Sequence, residues 1–405
     1  MPINQIAENF VKLTLKIGQH HEYYVDAFYG PKQWLKDIPK QPLDSLLSQA
    51  LALQAALNTL DKKDIDSLRL HFLVSQVSAM IAFIKQLNGE QISFDEESLA
   101  LYDAISPHFD EQDFNQLLIE LNSILPSYEG ENLSLNQRLN KYRSDFIIPK
   151  DKIAKVFSAA INKSRQLTLQ HIALPDNESF KVEYVTDQVW SAYNWFKGNA
   201  YSLIEVNTDF PIYIERAIDL ASHEGYPGHH VFNTLIEQHL YKGNGWIEYC
   251  IYPLFSPLSL LAEGSANYGI EVAFDKNTRF EFEQDSLFPL AGLDATQVSR
   301  YYQVQALLQQ LSYVDNMVAR RYLDKQINKE QAIDLLMKYS LTDHAKSSQR
   351  IKFIEYNRSY VINYNLGQDI TKAYIERLVK NNDPILRWQE FAKLLATPRC
   401  ASLLV

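Results

Sequence analysis

The stretch Ala221-Ser-His-Glu-Gly-Tyr-Pro-Gly-His-His230 follows a run of helical periodicity over residues 212–220. It holds three of the ten histidines of the chain. A hydrolytic metal site needs neutral imidazoles and, beside the first, a carboxylate that reaches water without binding the metal. His223 and Glu224 form such a pair. The stretch therefore predicts a helix that carries a catalytic metal site.

The spacing of these histidines departs from the familiar metallopeptidase helix, in which the second ligand follows the first by four residues. Pro227 occupies that position here. On a regular helix His229 would lie roughly 120° around from His223, and His230 about 10 Å along the axis. Pro227 lacks the donor for the His223 carbonyl, and the following glycine accepts unusual backbone angles. We predict an interruption over residues 225–228 that joins His223 to His229 and turns His230 away. The alternative is that Pro-Gly ends the helix and the histidines are surface or core groups.

A third ligand is expected from a second helix. The run Ser259-Leu-Leu-Ala-Glu-Gly-Ser-Ala-Asn-Tyr-Gly-Ile-Glu271 places Glu263 among apolar residues. A buried carboxylate without a partner is costly, so a metal would explain its position. Alternatively, Glu263 is a salt-bridged or surface glutamate. Glu271 and Glu237 are weaker candidates for the third ligand. We expect one zinc ion held by His223, His229 and Glu263, with ligand nitrogens about 3 to 3.5 Å apart.

Two motifs in this order, His223-Glu-x-x-Pro-Gly-His229 and Glu263-Gly-x-Ala-x-Tyr268, resemble the bacterial family called domain of unknown function 885. That family in turn resembles the glutamate-zincin metallopeptidases. The similarity covers residues 146–378 and the segment Tyr24-Val-Asp-Ala-Phe-Tyr-Gly-Pro31. It implies the same three ligands, Glu224 as general base, and a mainly helical, lobed fold with a deep cleft.

Charge on the tetrahedral oxygen needs a donor besides the metal. Tyr360 and Tyr364 are four residues apart and would share a helical face. The segment 360–367 also resembles the family's Tyr-x-x-Gly segment, which makes Tyr364 the candidate that the resemblance implies. His344 and Arg358 are reserves. Each tyrosine is equally compatible with a core residue whose hydroxyl is satisfied.

The periodicity of the rest of the chain predicts a mainly α, two-lobed, metallopeptidase-like fold with a small sheet beside the zinc helix. A helical N-terminal lobe spans residues 1–145. A zincin-like catalytic region spans residues 146–405, with the sheet at about 178–207 and helices after it. The run 201–206 is a candidate edge strand for a peptide substrate, or else an ordinary structural strand.

Composition excludes several partners. The 405 residues carry a formal net charge of -10 without a basic cluster, which argues against nucleic acid or a membrane surface. No stretch looks apolar enough to span a membrane. Cys250 and Cys400 suit buried free thiols, and residues 1–18 lack a continuous apolar core typical of a signal peptide. We expect a cytoplasmic location.

These observations favour a zinc-dependent hydrolase, most simply a metallopeptidase that cleaves peptides or other small amides with Glu224 as general base. The alternative is a non-catalytic helical scaffold that binds a metal or a peptide, which the presence of Glu224 disfavours. A purely structural helical protein would leave His223, Glu224 and Glu263 unexplained together.

Overall fold

A computed structural model describes residues 1–63, 65–188 and 190–405 of the chain. Helices hold 65% of the residues and strands 7%, which confirms the prediction of a mainly α protein. Cys250 and Cys400 are buried free cysteines, as expected.

The first helices are α1 (Ile3–Ile17), α2 (Leu43–Asn58), α3 (Ser67–Leu87), α4 (Phe94–Tyr102), α5 (Glu111–Ile124), α6 (Leu135–Ser144) and α7 (Ile153–Leu169). After the sheet follow α8 (Glu215–Leu220), α9 (His229–Leu235), α10 (Pro257–Ala273), α11 (Lys276–Phe282), α12 (Phe288–Ala291), α13 (Val298–Gln310) and α14 (Val314–Leu323). The chain closes with α15 (Lys329–Tyr339), α16 (His344–Asn357), α17 (Ile362–Leu378) and α18 (Pro384–Ala396). Segments of π-helix cover Ala221–Gly225, Ile236–Gly243 and Glu283–Leu287.

Two helix starts follow directly from local side-chain chemistry. Ser93 precedes α4 and Ser134 precedes α6, and each hydroxyl accepts a hydrogen bond from the third backbone amide of its helix. In turn, the side chains of Glu96 and Gln137 accept a hydrogen bond from the backbone amide of the capping serine. Both reciprocal pairs satisfy amides that the first turn would otherwise leave open.

Strands form two small sheets. The strands β2 (Ser179–Val185), β3 (Ala192–Gly198) and β4 (Tyr201–Asn207) are arranged in the order β2-β4-β3, with β2 parallel and β3 antiparallel to β4. The small sheet near residues 178–207 is thus confirmed. The prediction that residues 201–206 form its edge is wrong, because β4 is the middle strand and β3 lies outside it.

A second sheet was not expected from the sequence. β1 (Val25–Phe28) pairs antiparallel with β5 (Ile251–Pro253), and the register shifts between Val25 and Ala27. This pairing crosses the predicted boundary between residues 145 and 146. The division into two lobes stays a prediction.

Helix α3 differs from one expectation. By length and composition it could cross a membrane, although no such stretch was anticipated. Within the protein, 56% of its apolar window is buried, and it packs beside α2 and α4. A core helix packed inside a protein can have the same length, composition and burial as this helix.

Helices α10 and α17 approach closely, and this contact positions the candidate site. A Cβ on Gly264 of α10 would overlap the backbone of Gly367, and one on Gly367 would overlap the carbonyl of Leu260. Only glycine permits this separation. The contact places the start of α17 beside the helix that carries Glu263.

Candidate metal centre

The segment that carries His223 is interrupted as the sequence predicts. Residues Ala221–Gly225 form a π-helical turn, after which Tyr226 is extended and α9 begins at His229. The amide of Tyr226 donates to Ala221 O at 3.1 Å, and that of Gly228 donates to Ser222 O at 2.9 Å. These bonds span five and six residues instead of four, because Pro227 has no amide hydrogen to donate.

Gly228 is required by this interruption. A Cβ at this position would overlap the carbonyl oxygens of His223 and Ser222. Because glycine has no side chain, the backbone can fold back onto the end of the π-turn. The next residue, His229, then returns to the face occupied by His223.

The predicted ligands converge. The rings of His223 and His229 are 4.6 Å apart between centroids and nearly perpendicular, at 89°. Glu263 Oε2 lies 3.2 Å from His223 Nε2 and 3.7 Å from His229 Nε2. Donors of one tetrahedral zinc ion are separated by about 3 to 3.5 Å, so the two distances from Glu263 Oε2 are near that spacing. The donor nitrogens of His223 and His229 lie within 4.8 Å of each other.

The two carboxylate oxygens of Glu263 have different surroundings. Its Oε1 accepts a hydrogen bond from the Tyr360 hydroxyl at 2.8 Å, whereas Oε2 is buried without a hydrogen-bond partner. The Nε2 atoms of His223 and His229 lie 3.2 and 3.7 Å from this oxygen, so the three atoms border one shared space. A buried unpaired carboxylate oxygen between two imidazoles fits a metal ion.

The electrostatics of the site favour a positive charge at its centre. Burial alone would raise the pKa of Glu263, but the imidazoles of His223 and His229 hold it well below its ordinary value. Burial would lower the pKa of His229, yet the carboxylate of Glu263, followed by other acids nearby, raises it to about 9. Both shifts have the direction expected where buried acids favour positive charge beside them.

Glu224 lies close to both histidines. One of its carboxylate oxygens and a ring nitrogen each of His223 and His229 all lie within 4.8 Å of one another. Glu224 is buried, and Asn194 of β3 donates to its backbone carbonyl at 2.6 Å. The outer strand of the sheet therefore helps fix the turn that presents this carboxylate.

Asn267 orients the first histidine. Its amide nitrogen donates to the backbone carbonyl of Tyr364 at 2.9 Å, so its oxygen is the atom that faces His223 Nδ1, also at 2.9 Å. A carbonyl oxygen can only accept, which places the proton of His223 on Nδ1 and leaves Nε2 free to bind a metal. The sequence reasoning missed Asn267, although it lies one helical turn after Glu263.

Replacing Asn267 with Ala is expected to weaken zinc binding by about 10- to 100-fold, because the tautomer and ring orientation of His223 are no longer fixed. Competition with a chelating indicator measures this affinity. Asn267→Asp keeps an acceptor for Nδ1 and is the matched control, expected to retain most of the affinity. Equal zinc affinity in Asn267→Ala and the wild type would exclude this role.

The two candidate tyrosines occupy different positions. The hydroxyl of Tyr360 is committed to Glu263, so it supports a ligand. Burial, followed by the charge of Glu263, raises the pKa of Tyr364 well above its usual value, and Glu224 contributes in the same direction. Within residues 1–63, 65–188 and 190–405, the Tyr364 hydroxyl donates to no protein acceptor. Of these two tyrosines, Tyr364 is therefore the one whose hydroxyl is not already engaged by Glu263.

His230 points away from the ligands, as predicted, but it does not face substrate. It is fully buried, with Nδ1 at 2.9 Å from Ser202 Oγ and Nε2 at 3.1 Å from Glu178 Oε2. The hydroxyl of Tyr226 donates to the same carboxylate at 2.7 Å. His230 thus ties the interrupted segment to the sheet.

The weaker candidates are engaged elsewhere. Glu237 accepts from the backbone amides of residues 199 and 200, and Glu271 accepts from Gln368 and Lys372. Arg358 donates to Glu97 at 2.6 Å, and His344 lies at the exposed start of α16. In these contacts, the partners are residues other than His223 and His229.

Asp26 is a further residue that the sequence reasoning passed over. It lies on β1 where the register shifts, and the Tyr193 hydroxyl donates to its carboxylate. The charges of His229, Glu263 and Glu224 all act on it. The segment 24–31 was marked only by its resemblance to the family, and Asp26 was not singled out within it.

A second group of donors lies elsewhere. His71, Asp103 and Cys400 place one donor atom each within 4.8 Å of one another. Burial raises the pKa of Cys400 to about 11, so its thiol is protonated at neutral pH. A protonated thiol is a poor metal ligand. A measurement of metal content still needs a control for a metal bound by these three residues.

No protein-family model and no curated protein matches the sequence. Among solved structures, the fold is similar to that of a protein from Colwellia psychrerythraea that carries the provisional name lipoprotein. The TM-score is 0.54 at 14% sequence identity, and the alignment covers 92% of this chain and 67% of that chain. At this identity the similarity concerns the fold alone.

Proposed function

We propose that this chain is a zinc-dependent metallopeptidase that hydrolyses peptide bonds or related amide bonds. The observation that carries the proposal is the buried, unpartnered Glu263 Oε2 between His223 and His229, with the Glu224 carboxylate beside them. Two imidazoles and one carboxylate are a common donor set of catalytic zinc. The same motifs support membership of the domain of unknown function 885 family and a zincin-like fold.

The residues have distinct roles in this reaction. When bound, zinc would acidify water and polarise the scissile carbonyl. Glu224 accepts the proton of the attacking water and passes it to the leaving amine. Tyr364 donates its hydroxyl to the oxygen on which negative charge develops. His223, His229 and Glu263 hold the cation, while Asn267 and Tyr360 orient two of these ligands.

The outer strand of the sheet offers a place for the substrate backbone. Within the described part of the chain, β3 pairs with β4 on one side only. Its Asn194 contacts the turn that carries Glu224, so the free edge borders the catalytic groups. An extended peptide that adds to this edge would be oriented by main-chain hydrogen bonds. We propose β3 for this role in place of β4.

Metal analysis and a peptide-library assay on one preparation test the proposal. We expect one zinc per chain, hydrolysis of library peptides, loss of hydrolysis after chelation, and recovery with zinc. Cys400→Ser removes the thiol of the second donor group and should leave the zinc count at one. A binding scaffold would keep zinc without turnover, and a protein without zinc would contradict both.

A pair of tyrosine variants separates the two predicted hydroxyl roles. Tyr364→Phe is expected to lower kcat by about 10²- to 10³-fold with zinc retained, because one donor to the developing charge is lost. Tyr360→Phe, its matched control, should mainly weaken zinc binding, by about 10- to 100-fold. Steady-state kinetics at saturating zinc and a chelator titration measure the two effects. Reversal of this pattern would exchange the roles of the two residues.

The cytoplasmic location remains a proposal as well, supported by the two buried free thiols. Peptides or other small amides are the proposed partners. The formal net charge of -10 supports the expectation that neither nucleic acid nor an anionic membrane surface is bound.

A further inference from the structure

Asp26 lies on an irregular strand and contacts β3, the strand whose Asn194 donates to the backbone carbonyl of Glu224. The register of β1 against β5 shifts between Val25 and Ala27, which isolates Asp26 from the regular ladder. Such bulges re-aim a side chain and are frequent beside active sites. One oxygen of the Asp26 carboxylate accepts a hydrogen bond from the Tyr193 hydroxyl of β3. The N-terminal strand thus presents an acid at the edge where a peptide would bind.

The charge of Asp26 lacks a basic partner. Burial raises its pKa to about 6, and Glu263 and Glu224 act in the same direction, against the hydrogen bond from Tyr193 and the charge of His229. Among the described residues, Asp26 forms no ion pair with Lys or Arg. A zinc ion and the Glu263 carboxylate together would carry one positive charge, so ionised Glu224 and Asp26 would leave one negative charge without a partner. The surroundings of Asp26 therefore favour a cationic group from the substrate.

Aromatic side chains surround the same charges. Burial, followed by the charge of Asp26, raises the pKa of Tyr252 well above its ordinary value, and Tyr252 pairs in register with Ala27. Asp26 also contributes to the raised pKa of Tyr364. The Tyr193 hydroxyl contacts this carboxylate, and Tyr252 lies on β5, the strand paired with β1. Carboxylates and aromatic faces together are suited to bind an ammonium group.

The ammonium group nearest to a scissile amide is the free α-amino group of the first residue. In that residue, the amine nitrogen and the attacked carbonyl carbon are bonded to the same Cα. A carboxylate beside the metal ligands can therefore reach the amine while the carbonyl lies at the metal centre. A lysine side chain would carry its charge several bonds further away.

We propose that Asp26 binds the free α-ammonium group of the substrate, so that the enzyme removes single residues from the N terminus of peptides. This inference rests on the proposed peptidase function. Tyr193 is a positioning residue that holds one oxygen of the carboxylate and leaves the other for the substrate. Acetylation of the substrate amine would remove its charge and its donors to Asp26.

Peptide binding to the zinc-loaded Glu224→Gln variant tests the inference without turnover. Calorimetry should show that trialanine binds about 10- to 100-fold more tightly than N-acetyl-trialanine, the range expected for one charge-assisted hydrogen bond. Adding Asp26→Asn should abolish this preference with the zinc content unchanged. Asp26→Glu restores the charge and should recover part of it. Neither peptide carries a lysine, so a side-chain ammonium cannot contribute.

The outcomes separate this inference from the peptidase proposal. Equal binding of the two peptides, or a preference that persists in Asp26→Asn, overturns the amine site alone. Amine-selective binding that depends on Asp26, combined with a wild-type protein that cleaves nothing, supports the amine site and contradicts the peptidase. Absence of binding by either peptide contradicts both.

Discussion

Glu224→Gln is expected to abolish most hydrolysis while the protein keeps its zinc. The substitution removes the proton acceptor but preserves side-chain size, and Glu224 is not one of the three ligands. General-base catalysis contributes about 10²- to 10⁴-fold, so kcat should fall by at least that range. KM should change little, because the interaction is needed in the transition state and not for binding. Steady-state kinetics with metal analysis of the same sample measure both effects.

The control for this variant is Glu271→Gln. Glu271 lies on the helix that carries Glu263, but its carboxylate is engaged by Gln368 and Lys372 away from the ligands. Its kcat and zinc content should match those of the wild type. Wild-type turnover in Glu224→Gln would exclude Glu224 as the base, and loss of zinc would make it a ligand.

Local signals predicted much of the fold. The capping pairs Ser93–Glu96 and Ser134–Gln137 lie within four residues, so each helix start is decided by neighbours in sequence. Alternation of apolar residues indicated β2 and β4. The β1–β5 pair joins residues more than 200 positions apart, at Ala27 and Tyr252 for example, and nothing in either segment specifies its partner.

The edge of the sheet shows how one missed strand changes a functional assignment. β3 has the sequence Ala-Tyr-Asn-Trp-Phe-Lys-Gly, which lacks a clear alternation of apolar and polar residues. Because β3 was not predicted as a strand, the strand that begins at Tyr201 was assigned to the edge of the sheet. Because β3 lies beside β4, Tyr201–Asn207 is the middle strand, and the edge strands are β2 and β3.

The convergence of the candidate ligands was more predictable than the groups around them. Backbone chemistry decides the interruption at Pro227, since a missing amide and an obligatory glycine leave few ways to continue the helix. Tyr360 and Tyr364 could not be separated by their spacing, because a short 3₁₀ turn at Arg358–Val361 precedes α17. The partner of His223, Asn267, depends on how α10 packs and has no distinct sequence signal.

Glu263→Ala is expected to lower zinc affinity by more than about 100-fold, since even residues that only orient a ligand are worth about 10- to 100-fold. The side chain supplies one of three donors, and its removal also leaves the Tyr360 hydroxyl without its acceptor. Two imidazoles alone bind zinc weakly at neutral pH because protons compete for them. A chelator titration measures the affinity directly.

Thermal unfolding gives a second measure of the same loss. A zinc concentration of 100 times Kd stabilises the wild type by about 2.7 kcal/mol, whereas a variant that does not bind at that concentration gains nothing. Glu271→Ala, on the same helix, should show the wild-type shift. If Glu263→Ala keeps both the affinity and the shift, another carboxylate completes the site. Glu224 and Asp26 are the acids whose charges act there, so this result would require a different base or a different amine site.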